Sequence, residues 1–286
     1  MFARAASCDV TPLDRPVRLA GYAARRQPVS IVLDPIEISA ILLEAGGRRC
    51  LIFSFDLMIV GSELQQAIHA RLAAHGFLPA EIMLLASHTH FAPATDRACA
   101  PLGVPDPQFV AELAVAAENL VKGLLQVGPA ETHVEIKRGR LDHSVNRRRH
   151  WPFPTIGRTY GFRLTATVMA PNPEAPTEEL ATVLLLRRAD DDKVIAVIWH
   201  YTCHATAVIP SDVISADFPG AVRRALRQRD ARLGLRLRGA AGQAGDHHQR
   251  AVAPLARRAR RQLQHRLVEA DLADRELRRV NAHRQP

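Results

Sequence analysis

His88-Thr89-His90 closes an apolar run, Ile82-Met83-Leu84-Leu85-Ala86-Ser87, and carries the most specific chemistry in the chain. Residues i and i+2 of a strand share one face, so two imidazoles at this spacing fall within reach of one cation. Neutral imidazole is the commonest metal ligand, and zinc accepts it at about 2.0–2.1 Å. The turn Phe91-Ala92-Pro93 follows at once, which reads as a metal site at the carboxyl end of a buried strand. The plainer alternative is a pair of polar residues at a strand exit, one exposed and one hydrogen-bonded. A second cluster argues against it. Val194-Ile195-Ala196-Val197-Ile198-Trp199 is another short apolar run, and it leads into His200-Tyr201-Thr202-Cys203-His204. His204 lies just past that strand, where ligands converge in sheet proteins. His200 shares its parity if the strand continues and is a rival ligand. Cys203, a possible soft ligand or nucleophile, would point to the opposite face.

The elements that must hold these residues alternate irregularly. Residues 1–36 read as loop-rich, with Pro12, Pro16, Pro28 and Pro35 breaking short extended pieces. Ile38–Leu43 and Cys50–Met58 pair around the turn Ala45-Gly46-Gly47, and the second strand carries Asp56 near its exit. Ser62 opens a helix through an S-x-x-Q capping box with Gln65, and Gly76 stops it. Leu64, Ile68 and Leu72 form its buried stripe, leaving His69 and His75 solvated. Pro107–Leu125 has apolar residues at helical spacing, and Glu131–Leu141 alternates as a strand. Residues 142–178 are proline-rich and form a long excursion, of the kind that is usually functional. Glu179–Arg187 and Lys193–Tyr201 form a hairpin around Asp190-Asp191-Asp192, with apolar strands buried on both faces. Asp217 caps an arginine-rich helix that begins near Pro219. The expected fold is α/β of the mixed α+β kind: mixed sheets flanked by helices, a layered sandwich rather than a doubly wound parallel sheet.

Composition narrows the classes. A chain of 286 residues with 47% hydrophobic residues can bury a large core. No apolar run reaches the roughly 18–20 residues that cross a bilayer, so no transmembrane segment is expected. Met1–Cys8 has no apolar signal core, and a cytoplasmic location is the expectation. The four scattered cysteines (Cys8, Cys50, Cys99, Cys203) then read as reduced thiols. A net charge of +9 might point to nucleic acid, but its location argues against that partner. From His247 to Pro286 there are ten Arg against four acidic residues, so +6 of the +9 sits in that tail. The remaining basic cluster, Arg147-Arg148-Arg149-His150, borders Trp151 and Phe153 and fits a substrate loop. The oligomeric state is not encoded in any of these patterns.

Several of these segments share a pattern. SHTHFAP, CHATAVIPSDVISADFPG and AGQAGD resemble, in order and spacing, the N-terminal catalytic domain of neutral/alkaline non-lysosomal ceramidases. So do Asp9-Val10-Thr11-Pro12, Ala20-Gly21-Tyr22, Asp34-Pro35, Asp56 and Val145-Asn146-Arg147-Arg148. The resemblance implies a zinc amide hydrolase acting on a lipid-like or other small amide such as N-acylsphingosine. It implies His88 and His204 as zinc ligands, His90 and Arg147 as groups at the reaction centre, and Asn146 and Asp217 on the substrate side. The pattern lapses at two points. His248 stands where the family carries a serine proposed to act at the amide carbonyl, and the family's later Glu and Tyr ligands have no counterpart in the last forty residues. Two imidazoles alone under-coordinate zinc, since catalytic sites usually have three protein ligands plus water. The expected organisation is an incomplete ceramidase-like domain over 1–246 and an arginine-rich tail over 247–286, which a reading-frame change near Asp246 would explain. The rival expectation is a truncated, non-catalytic homologue that binds metal or lipid weakly.

Overall fold

The structure, a computed structural model, describes residues 1–151, 155–157, 161–163, 166–208 and 212–232. The A-G-Q-A-G-D segment, His248 and the arginine-rich tail lie outside the described residues. Eleven strands and three α-helices are described, a mixed α+β architecture. Backbone hydrogen bonds order seven strands as β11-β10-β5-β1-β2-β3-β4. These are β1 (Phe2–Asp9), β2 (Glu37–Ala45), β3 (Arg48–Phe55), β4 (Ile82–Ala86), β5 (Ala130–Arg140), β10 (Leu180–Arg188) and β11 (Val194–Tyr201). The described residues form two compact units, one of Met1–Ala3 with those from Ala130 to His204, the other of Arg4–Pro129 with the described residues from Ala205 to Arg232.

The larger unit is organised around β2, β3 and β4. Ala45 pairs with Arg48 across Gly46 and Gly47, whose φ values of 56° and 72° make a two-residue turn that matches strand twist. β3 and β4 run parallel, with Leu51 opposite Ile82 and Phe55 opposite Ala86, joined through helix α1 (Ser62–Ala73). Parallel strands need such a crossover, and it brings their carboxyl ends side by side. α1 and α2 (Pro107–Gln126) pack on this sheet: Leu64, Ile68, Leu72, Phe109, Leu113 and Leu120 join Ile38, Leu42, Leu51, Phe53 and Phe55 in one core. Asp106 caps α2 by accepting from the Gln108 amide, and Pro107 occupies the first helical position. Between the two helices Glu118 accepts from Arg71 and Lys122 and meets His75. His75 is therefore engaged rather than solvated.

The capping box expected at Ser62 does not form. Ser62 is the first helical residue, Gly61 is the N-cap, and no side chain caps the helix. Gly61 occupies a position where a Cβ would meet the Thr95 carbonyl oxygen at 1.9 Å, so this close approach places the helix start. Helix α3 (Asp217–Arg232) is fastened to the same unit by ion pairs. Arg223 meets Asp56 at 2.5 Å and Glu37 at 3.3 Å, Arg224 meets Asp34 at 3.0 Å, and Arg227 meets Glu37 at 2.8 Å.

In the smaller unit β5, β10 and β11 are antiparallel, with Ile136 opposite Leu184 and Leu184 opposite Ile198. The hairpin stands where the apolar runs place it, but its strands are not buried on both faces: most of their residues are only half-buried, and His200 is exposed. The excursion over 142–178 is built partly of short ribbons, β6 (Arg148–Trp151) with β9 (Ala166–Met169) and β7 (Thr155–Gly157) with β8 (Gly161–Arg163). The amino-terminal segment, read as loop-rich, contains β1. Its sequence, FARAASCD, holds no β-branched residue, and its pairing with β5 at Phe2–Glu131 and Ala3–Ala130 links residues far apart in sequence.

Candidate metal centre

Ligand nitrogens of His88, His90 and His204 all lie within 4.8 Å of one another. His88 and His90 arrive there by a route different from strand parity. β4 ends at Ala86, so His88-Thr89-His90 is a loop rather than a continued strand. His88 has φ 63°, a left-handed conformation that is uncommon for a residue with a side chain. That turn stands the two rings nearly perpendicular, at 80°, with centroids 5.2 Å apart. The backbone holds the turn: the Ser87 amide donates to the Phe55 carbonyl and the His88 amide to the Leu57 carbonyl, each at 2.9 Å. Strained backbone of this kind persists only where surrounding bonds over-determine it.

The tautomer of His88 follows from its partner. Nδ1 lies 2.8 Å from the Met58 carbonyl oxygen, which can only accept, so Nδ1 carries the proton and donates it. The lone pair is then on Nε2, the arrangement found in metal-bound histidines. His88 itself is exposed, while His90 and His204 are half-buried. Both ring nitrogens of His90, and Nδ1 of His204, are shielded from solvent. Three imidazoles suit zinc, copper, iron or nickel better than magnesium or calcium, which take oxygen ligands.

The segment that begins after His204 is knitted to the histidine loop. Thr89, fully buried, donates from Oγ1 to the Ser215 carbonyl at 2.9 Å, and the Ser215 amide donates to the Phe91 carbonyl at 2.9 Å. Ser215 Oγ donates to Asp34 at 2.6 Å and accepts from the Asp217 amide at 2.9 Å. Asp217 is 3% exposed, and its carboxylate accepts from the amides of Ala207, Val208 and Phe218. Its oxygens are thus occupied in holding the loop, which leaves little for a substrate. Asp56 is likewise engaged, by Arg223 and by the Glu37 amide at 2.9 Å, and is no ligand.

Asn146 and Arg147 lie in the loop before β6. Asn146 accepts from the Arg148 amide at 2.9 Å and donates to the Pro176 carbonyl at 3.2 Å, and the Arg147 carbonyl accepts from the Ala170 amide. The exposed His200 is not a member of the histidine group among the described residues.

Two neighbours of His90 were not among the expected site residues, although Gly21 stands in the Ala20-Gly21-Tyr22 segment that carries the resemblance. Gly21 has φ 106°, and a Cβ there would stand 2.4 Å from Cγ and Nδ1 of His90. Only glycine allows that approach. Gly21→Ala is expected to displace the imidazole and to lower the affinity of the histidine group for a metal ion about tenfold, in the range of supporting-residue effects; titration against a competing chelator checks it, and unchanged affinity would show that the ring's position is immaterial. The second neighbour is Arg25, half-buried beside Tyr22 and Phe91.

The fold is shared with solved ceramidases. The neutral ceramidase from Pseudomonas aeruginosa superposes with a TM-score of 0.60 at 19% identity, over 76% of this chain and 34% of that one. A ceramidase complexed with C2 gives a TM-score of 0.58 at 16% identity, over 76% of this chain and 33% of that one. The chain therefore spans about a third of the length of the structures it matches. No family model and no curated protein matches the sequence.

Proposed function

We propose that this chain is a zinc-dependent amide hydrolase of the neutral ceramidase type, with N-acylsphingosine or a related small amide as substrate. The observation that carries this reading is the group of three histidines within 4.8 Å, on a fold shared with ceramidases. His88, His90 and His204 would hold the ion, with His88 set by its bond to Met58. Zinc bound at such nitrogens lowers the pKa of water to about 7 and polarises an amide carbonyl. His90 therefore moves from a group beside the reaction centre to a ligand, which gives three imidazoles instead of two. Arg147 is assigned to developing negative charge and Asn146 to the substrate side. Asp217, with its carboxylate on three amides, is assigned to holding the loop that follows His204.

Other features agree. No described helix is long and apolar enough to cross a membrane. All four cysteines are free thiols. The second reading, a non-catalytic homologue that binds metal or lipid weakly, draws on His248 standing where the resemblance calls for a serine hydroxyl.

Fatty-acid release from an N-acylsphingosine by zinc-loaded protein separates the two. Release is expected to be slow, because His248 stands where the resemblance calls for a serine hydroxyl, and it should vanish in His88→Ala. Zinc bound through the three histidines with no release from any N-acyl amide would favour the non-catalytic reading. Release that survives His88→Ala would remove the metal from the proposal altogether.

A further inference from the structure

We infer that Arg25 is a positioning residue for the histidine group, a clamp that fixes the imidazole of His90 from behind and ties it to the segment following His204. The inference rests on the metal-site reading for its effect on zinc, and on geometry alone for its effect on the ring.

The Arg25 guanidinium is 6% exposed. One terminal nitrogen donates to the His90 carbonyl at 2.8 Å and to the Ala20 carbonyl at 3.3 Å. The guanidinium carbon stands 5.0 Å from the centre of the Tyr22 ring and 5.4 Å from that of Phe91. Tyr22 in turn meets the His90 ring edge-on, with centroids 5.1 Å apart. A single side chain thus holds the backbone of His90 directly and the ring of His90 through Tyr22. The backbone of Gly21 also abuts the His90 imidazole, close enough to leave no room for a Cβ. Guanidinium over an aromatic face is attractive, and more so when desolvated.

Charge completes the clamp. Burial disfavours the cation at Arg25, and Asp212 opposes that loss with an ion pair at 3.3 Å. Asp212 is 68% exposed and belongs to the segment that starts at Ala205, directly after His204. The same segment touches the histidine loop at Thr89 and Phe91 through Ser215. Arg25–Asp212 is therefore a second, solvent-facing tie between the stretch that packs on the histidine loop and the segment that begins at Ala205. A lysine could retain the charge but not the planar fork that serves two carbonyls and two rings together.

Histidine side-chain nitrogen–proton correlation spectra of the metal-free protein test the clamp without any assumption about zinc. In Arg25→Gln the His90 and His88 signals should shift, while those of His69 and His75 on the α1 side stay in place. Arg25→Lys should fall between wild type and Arg25→Gln. Asp212→Asn, altered at an exposed position, should shift the same two signals less and keep the fold even where Arg25→Gln does not. Zinc affinity should drop about tenfold in Arg25→Gln, the lower end of supporting-residue effects. Unmoved His90 signals in both Arg25→Gln and Asp212→Asn would overturn the inference. Shifted signals in a protein whose wild type binds no zinc would uphold the clamp and sink the metal reading.

Discussion

His88→Ala is expected to lower zinc affinity on the order of 100-fold or more, beyond the 10–100-fold typical of residues that merely support a ligand. His90→Ala and His204→Ala should each do the same, because the three nitrogens converge within 4.8 Å and a zinc held by two imidazoles lacks the third protein ligand usual at catalytic sites. His200→Ala and Asp56→Asn provide the contrast. His200 is exposed on β11, and Asp56 spends its oxygens on Arg223 and the Glu37 amide, so neither should change affinity. Competition with a chromophoric chelator reads all five. Should His200→Ala weaken binding as much as His204→Ala, the histidine group has been wrongly composed. Should His90→Ala be silent, the site falls back to two ligands, and zinc would be lost on dialysis against chelator.

Arg223→Met is expected to cost about 3–5 kcal/mol of stability, the usual penalty for stranding one partner of a buried ion pair. Asp56 is 3% exposed, and Arg223 reaches it with two nitrogens, at 2.5 and 3.1 Å. Burial pushes the Asp56 carboxyl up, and the Arg223 cation opposes that push. The carboxyl is raised even with Arg223 present, and without Arg223 only the Glu37 amide still opposes burial, so the upward push grows and sets the sign of the pH dependence. A carboxyl whose folded pKa lies above its unfolded value binds more protons in the native state within that window. Stability of Arg223→Met should therefore fall as pH rises from about 4 through the raised folded pKa, and the deficit against wild type should be smallest in acid. Denaturant unfolding at several pH values measures this. Asp56→Asn combined with Arg223→Met should recover part of the loss, since the stranded charge is gone. A deficit that is the same at every pH, or a double variant no better than the single, would show that the pair acts by packing rather than charge.

The residue types suited to metal binding, and most of the elements that present them, are legible in local sequence. His88-Thr89-His90 and His204 stand out because metal-binding residue types directly follow apolar runs, and an apolar run is legible wherever burial demands it. The stripes of α1 and α2 and the paired strands β2 and β3 follow from periods of 3.6 and 2, which are local properties. What required tertiary structure was every feature settled by partners distant in the chain. β1 forms by pairing with β2 on one side and, at Phe2 and Ala3, with β5 more than a hundred residues away on the other, and its own composition does not announce it. The start of α1 was decided by the contact of Gly61 with Thr95 rather than by the hydroxyl of Ser62. His90 reached the ligand group through a left-handed turn at His88 held by Leu57 and Met58, not through strand parity. His204 and not His200 joined it, because β11 closes at Tyr201 and the parity that linked them ends there. Nothing local in the sequence singles out Arg25; only the fold wraps Tyr22, Phe91 and the His90 carbonyl around it. The physical reason is common to all of these. Pattern encodes which residues must leave water, whereas the side chains and carbonyls that meet there are chosen by long-range pairing that no local window contains.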